Sequence, residues 1–276
     1  MKRARLVSSI WLHLFVVPLA LLWLAPLWLM VVFSTVEEPR IFSTPVPLLP
    51  GGNFLANFQN LQADTNFVRT LLNSIVISGL YTLLSLLLTS MGGYAFARYR
   101  FFGRNAIFTL VIATLTIPYF VVVIPQYILV AREFTLTNSY VGVVLPLLAN
   151  SLGIFFMRQN FMGLPQSLFD AARVDGAGEY RIFFQIALPL VRSAMAALGI
   201  ILFLTAWNDY LWPLLILTDK AMYTAPVALG TLLGLTRVSW GGIMVGAVLM
   251  TVPFLILFLF LQRYFVAGIT AGAVKD

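Results

Sequence analysis

Uncharged apolar runs of more than twenty residues alternate with short polar breaks along the chain. In a helix, about twenty apolar residues at about 1.5 Å each cross the roughly 30 Å of hydrocarbon in a bilayer. The pattern therefore predicts six membrane-spanning helices, over about 10–33, 72–97, 105–131, 135–157, 193–215 and 241–262. The first run follows Lys2, Arg3 and Arg5, as the apolar part of a signal peptide would. It continues uncharged from Leu6 to Val36 without a clear small-residue cleavage site. A cleaved leader's apolar part is only about 7–15 residues, so this run reads as a retained span. Trp11 and Trp28 suit its two interfaces. Pro118 and Pro125 predict a kink in the third span, and Pro146 lies inside the fourth. Residues 34–69 are rich in Pro, Gly and Asn and read as an external loop, either a connector or a partner surface.

Composition narrows the class. The chain is 61% hydrophobic and 10% charged, against roughly 45–50% and about 25% in soluble domains. A soluble fold has no way to hide that much apolar surface. No cysteine is present, which excludes disulfide, zinc-thiolate and thiol-nucleophile chemistry. The one histidine, His13, excludes a multi-histidine metal site and reads as an interfacial residue. Neither G-x4-G-K-[ST] nor G-x-G-x2-G occurs, so no sign of ATP hydrolysis by this chain exists and a non-catalytic subunit is expected.

The net charge of +7 is explained by topology. With a cytoplasmic N-terminus the inside segments carry twelve Lys and Arg and the outside loops five, satisfying the positive-inside rule. Both termini are then cytoplasmic, as is the loop at 160–190. The span centres hold almost no ionisable residue, which disfavours the alternative of an ion-driven secondary carrier. Asp209 comes closest to one. Its neighbours Trp207, Tyr210 and Trp212 suggest an outer interface or helix end, with a substrate contact as the second reading. Gln126, Asn150, Ser151, Asn208 and Asp209 are the polar positions that either line a pathway or serve helix packing. Gly242 and Gly246 form GxxxG at the start of the last span, a pattern that permits close helix contact.

The polar stretch DAARVDGAGEYRIFFQIALP, Asp170–Pro189, stands out against this background. Ser167-x-x-Asp170 has the form of a capping box, and Asp170 suits the positive end of a helix dipole. A short helix is expected over about Leu168–Asp175, with Gly176 terminating it in a left-handed conformation. Phe169, Ala172, Arg173 and Gly176 share one face by spacing, and Ala171 and Ala172 are small enough to lie close against another surface. A second helical piece, Glu179–Ala187, leads to Pro189. A helix-turn-helix of this kind outside the bilayer is a docking element. The mixed charges disfavour a lipid-surface helix.

This stretch resembles the signature loop of permease subunits of binding-protein-dependent ABC importers, E-A-A-x3-G-x9-I-x-L-P, with Asp170 where that family has Glu. The ending QRYFVAGITAGAVKD, together with GYAFARYRFFGRN and AWNDYLWPL, is similar to the maltose-transporter type within the carbohydrate-uptake branch. The resemblance runs from about Leu72 to the end. It implies an all-α membrane protein with the type I importer permease fold: six transmembrane helices in a single domain over 1–276, with a cytoplasmic coupling helix between spans four and five. It also implies a role in ATPase coupling for Asp170, Ala171, Ala172, Arg173, Asp175, Gly176, Ile186, Leu188 and Pro189. The cytoplasmic tail, 263–276, would supply further ATPase contacts through Thr270, Gly272, Val274 and Lys275. The implied partners are a second permease subunit, a dimeric ATPase that holds the ATP and magnesium, an external substrate-binding protein, and membrane lipid. No cofactor is expected on this chain, and the implied location is the bacterial inner membrane.

Overall fold

A computed structural model describes residues 2–234 and 238–273 of the chain, with side chains over 12–234, 238–260 and 262. Among them every regular element is a helix. In chain order these are α1 (Lys2–Ser34), α2 (Glu38–Ile41), α3 (Phe54–Thr65), α4 (Phe67–Arg98), α5 (Arg104–Ala113), α6 (Tyr119–Ile128), α7 (Tyr140–Val144) and α8 (Ser151–Met162). There follow α9 (Gln166–Val174), α10 (Glu179–Ile182), α11 (Leu188–Leu190), α12 (Arg192–Trp207), α13 (Leu211–Ile216), α14 (Ala225–Leu232) and α15 (Trp240–Ala273).

Three continuous stretches are long and apolar enough to cross a membrane: Leu12–Ser34, Phe67–Arg98 and Trp240–Phe260. Three bent helix pairs raise the possible number to six. The expected third and fourth spans are therefore not single rods, and the third pair, Glu179–Leu190 with Arg192–Trp207, bends by 80° before the expected fifth span begins. Arg104–Thr116 and Tyr119–Glu133 meet at 101°, and Tyr140–Leu147 and Ser151–Met162 at 49°. The first bend falls where expected. Ile117 is extended (φ −82°, ψ 119°), because the ring of Pro118 disfavours a helical residue before it. The stretch 193–215 requires a correction. Its helix stops at Trp207 and restarts at Leu211. Pro213 is the cause: its ring would strike the carbonyl of Asp209 four residues back, and it has no N–H to give that carbonyl. Segment 34–69, expected as a loop, contains two helices, α2 and α3.

The chain forms two compact units. Met1–Val68 with Leu229–Val252 is the first. Its small core joins Val32, Val36 and Ile41, with Phe33 and Trp240 packed on it. Buried Asn57 donates to the carbonyls of Ser34 (3.0 Å) and Val36 (2.9 Å), answering the end of α1. The glycines of the last span make close contacts here: a Cβ on Gly246 would meet the Leu229 side chain, and one on Gly242 would meet Ser239.

The second unit, Arg69–Ala228 with Pro253–Asp276, holds the main core, which includes Tyr94, Met157, Phe161, Phe169, Ile182, Leu198 and Trp212. Its central helix α4 buries a row of small polar residues, Ser74, Ser78, Ser85, Thr89 and Ser90. Gly93 lets α4 meet the backbone of α8, and Gly153 lets α8 close on the Thr89 side chain of α4. A Cβ on Gly93 would lie 2.7 Å from Arg158 N, and one on Gly153 would lie 2.7 Å from Thr89 Cγ2. Small residues at such seams replace the hydrophobic drive that lipid does not supply. Trp212 is fully buried and donates from Nε1 to the carbonyls of Gly142 and Val143, fixing α13 on α7.

Candidate functional site

The polar loop is built as a seated helix with one face offered outward. The helix α9 begins at Gln166, after Pro165 in an extended conformation, with no side-chain cap. The expected capping box is thus corrected: Ser167 already lies inside the first turn. Asp170 Oδ1 instead accepts from Gln166 Nε2 (3.0 Å) and Arg173 Nη1 (3.2 Å). Pro165 makes a side-chain cap less necessary, since its ring pre-sets the helix entry and removes one donor at the start. Gly176 (φ +78°) ends α9 as expected. Its N–H meets Arg173 O at 3.0 Å and the Ala177 N–H meets Ala172 O at 2.9 Å, the two bonds of a Schellman motif.

The shared face of Phe169 and Ala172 turns inward, not outward as a docking face would. Phe169 is 0% exposed and Ala172 7%. Tyr94 of α4 is the hub beneath them, its ring within 6.2 Å of the rings of Phe169, Phe161, Phe183 and Tyr99. Arg98 clamps the same junction. Its guanidinium stacks 4.2 Å over the Phe169 ring, and donates to the carbonyls of Phe161 and Leu164 and to Gln166 Oε1. Ala171, Val174 and Asp175 face outward, Val174 at 88% exposure, together with Asp170. Ile186 and Leu188 pack against the core of this chain, in and just after a π-turn over Phe183–Ala187, while Pro189 is exposed.

A polar clasp closes the loop. Arg173 Nε donates to Glu179 Oε1 at 2.8 Å, and the Tyr99 hydroxyl donates to Glu179 Oε2 at 2.9 Å. The Arg173 hydrogen bond holds the Glu179 carboxyl below its ordinary value, and the same bond raises the Arg173 guanidinium. Burial first, and then the bond to Glu179, push the Tyr99 phenol up to about 12. Arg98, Tyr99 and Glu179 were absent from the residues expected to act here, because nothing in linear order ties the end of α4 to the loop.

Four of the five polar positions expected to line a pathway converge on one cavity of about 460 Å³: Gln126, Asn150, Ser151 and Asp209. Asn208 does not line it and folds back to donate to Leu204 O at 3.0 Å. Tyr81, Thr114, Tyr119 and Thr205 complete the polar lining. Three helix breaks open onto this space, at Leu115 and Tyr119, at Ala149 and Asn150, and at Asp209 between α12 and α13, while the 80° bend at Val191 does not. Within a bilayer, non-helical backbone is tolerated where it lines a cavity. Asp209 Oδ1 accepts the Trp212 N–H at 3.3 Å, so the helix-end role expected of it holds and the cavity adds a second. Asn150 bridges Tyr81 OH (3.1 Å) and Gly153 N–H (2.7 Å), and Thr114 meets Ser151 at 2.8 Å. Gln126 Nε2 is buried without a partner among the described residues. Thr270 and Gly272 lie on the backbone of α15, and Val274 and Lys275 lie outside the described residues.

The model of the family described as "Binding-protein-dependent transport system inner membrane component" matches residues 85–271. The chain belongs to this family. It is a non-catalytic, multi-span inner-membrane permease component of an ABC-type importer. It is 45% identical over 203 residues to the arabinooligosaccharides transport system permease protein AraQ of Halalkalibacterium halodurans, covering 74% of this chain and 72% of that one. The Bacillus subtilis protein of the same name is 36% identical over 273 residues, 98% of this chain and 96% of the relative. The sn-glycerol-3-phosphate transport system permease protein UgpE of Yersinia pestis is 34% identical over 269 residues, 95% of each. Among solved structures, a chain of a bacterial ABC transporter involved in import of the acidic polysaccharide alginate superposes with a TM-score of 0.79. It is 22% identical, covers 95% of this permease and 98% of itself, and shows a shared fold.

Proposed function

We propose that this permease forms half of the translocation pathway for a sugar or sugar-like solute, and that α9 transmits the motion of a partner ATPase to it. The observation that carries the coupling role is the division of α9 into two faces. Phe169 and Ala172 are locked onto the transmembrane frame through Tyr94 and Arg98, while Ala171 and Val174 are held out between Asp170 and Asp175. A push on the outer face reaches α4 and α8 through the aromatic hub without passing through a flexible joint. The match to E-A-A-x3-G-x9-I-x-L-P supports the same role, with Asp170 in place of Glu. Ile186 and Leu188 act in it by seating the loop on the core of this chain, and exposed Pro189 stays a candidate contact.

The partners are a second permease, a pair of ATPase subunits carrying ATP and magnesium, and an external binding protein. The loop, both termini and a tail contact through Thr270, Gly272, Val274 and Lys275 lie on the ATPase side. Relatives named for arabinooligosaccharides and for sn-glycerol 3-phosphate support a polyhydroxylated solute, and do not single out a maltose-type branch. The test places charge on the offered face. Val174→Asp and Ala171→Glu are expected to insert at wild-type yield, to lose the ATPase on purification, and to reduce ATP-driven uptake at least about tenfold, since burying an unpaired charge costs several kcal/mol. Wild-type ATPase stoichiometry and uptake in both variants would overturn the coupling role.

A further inference from the structure

We propose that the cavity at the helix breaks selects an uncharged polyhydroxylated solute and rejects anionic ones, with Asp209 as the specificity-determining group. The inference rests on the carbohydrate reading above and goes further, because the relatives include carriers named for an anionic solute as well as for oligosaccharides.

The chemistry of the lining carries it. Among the described residues, no lysine, arginine or histidine borders the cavity, and its one ionisable acid is Asp209. Asp209 makes no ion pair among them. Anionic solutes are held by guanidinium or ammonium groups or by free N–H groups at helix starts. Three helix starts open here, and side chains answer two of them, while α6 begins at Tyr119 with no side-chain cap. Asn150 Oδ1 takes the Gly153 N–H at the start of α8, and Asp209 Oδ1 takes the Trp212 N–H in α13. The cavity thus offers an anion no unspent cation and a fixed carboxylate. A like charge a few ångströms away in a partly wet site penalises an anionic solute on the order of 100-fold.

For a neutral polyol the same lining is favourable. A carboxylate has about four acceptor sites, and the backbone N–H groups of Trp212 and Leu211 turn to those on Asp209. The rest can accept from solute hydroxyls. Gln126 Nε2, buried and unpartnered, supplies a donor to a hydroxyl or ring oxygen, and Tyr119 presents an aromatic ring at 40% exposure for the apolar face of a sugar. The volume, about 460 Å³, lies in the usual small-molecule range of about 300–1,000 Å³.

The test uses the complete transporter, with this permease, its partner permease and the ATPase. Equilibrium dialysis without the binding protein measures affinity for radiolabelled arabinotriose, maltotriose and an alginate trisaccharide of matched length. ATP-driven uptake of the same three is measured with the binding protein present. Wild type is expected to bind at least one neutral trisaccharide about 100-fold tighter than the anionic one. Asp209→Asn, which keeps an acceptor for Trp212, is expected to weaken neutral binding about tenfold and to narrow the preference. Gln126→Lys leaves Asp209 and its cap in place, and is expected to raise affinity for the anionic trisaccharide about tenfold. Equal wild-type affinity for neutral and anionic probes, or variants that leave the preference unchanged, would overturn the inference alone. ATP-driven uptake of none of the three would overturn the carbohydrate reading and the inference with it.

Discussion

At φ +78°, Gly176 holds a backbone conformation that costs most L-residues about 1–2 kcal/mol, and Asn less. Apart from its chain neighbours, no described residue lies within 4 Å of where its Cβ would stand, so the demand is conformational and not steric. Gly176→Asn is therefore expected to keep α9 capped and the ATPase bound. Gly176→Val is expected to lose about 1–2 kcal/mol of local stability and to show faster hydrogen exchange over 166–177. Equal behaviour of the two variants would place the constraint in a partner surface instead. The clasp next to it sets a pH window. Glu179 is held below its ordinary 4.5 by Arg173, so its contribution is complete above that value and lost as pH falls through the lower folded one. Tyr99, raised from 10.0 to about 12 by burial and then by Glu179, contributes fully below pH 10 and loses that contribution between there and about 12. The groups are partly exposed, so each effect is well under about 1 kcal/mol. The chain has no native cysteine, so a fluorophore on Val174→Cys reports the loop cleanly. Its anisotropy is expected to stay flat near neutral pH and to fall below about pH 4.5, and Glu179→Gln to abolish that acid limb.

At the level of elements, the seam between α4 and α8 sets how rigidly the loop is carried, because both helices end at the Tyr94 and Arg98 junction. A methyl on Gly153 would strike Thr89 Cγ2, whereas one on Gly93 would strike the backbone of Arg158. Gly153→Ala is expected to cost about 1–3 kcal/mol, the usual penalty of overpacking. Thr89→Ser removes the clashing methyl but keeps the hydroxyl that bonds Ser85 O at 2.6 Å. The double variant should regain about half the loss in melting temperature. Thr89→Ser should give no such rescue of Gly93→Ala, where the obstacle is main chain. Neither seam was legible in the chain order, since Gly93 and Gly153 read as ordinary helix positions until α8 is laid on α4. The helices themselves were legible, because uncharged runs of that length have few other folds. The break before Leu211 was missed although its cause was visible: Pro213 denies a hydrogen bond four residues upstream, so the helix fails at Asn208–Tyr210 and not at the proline. The capping box was misread for a related reason, as α9 takes Pro165 as its N-cap, two residues before Ser167.

For the whole molecule the question is where the energy for movement enters. The cavity gathers Tyr81, Gln126, Asn150 and Asp209 from positions far apart in the chain. Their individual polarity was visible in the sequence and their convergence was not, since it depends on two helix bends and on the break between α12 and α13 meeting at one point. That gathering leaves a single carboxylate, Asp209, at the site. An ion-driven carrier needs a titratable or ion-coordinating group that exchanges its ion between the two sides, and Asp209 is tied to the Trp212 N–H at the start of a helix. The chain has no nucleotide motif either, and the coupling role proposed for α9 brings the work from a partner through the polar loop. In proteoliposomes holding the full transporter and its binding protein, removing ATP is expected to reduce saccharide uptake at least about 100-fold. Collapsing proton and sodium gradients with ionophores is expected to change it less than about twofold, because the one carboxylate at the cavity, Asp209, is tied to the Trp212 N–H. Uptake that persists without ATP and follows an imposed ion gradient would shift the source of energy to Asp209. The decisive comparison is then the same assay on Asp209→Asn: a gradient-driven carrier would stop, whereas an ATP-driven pathway would slow only as far as its affinity for the saccharide falls.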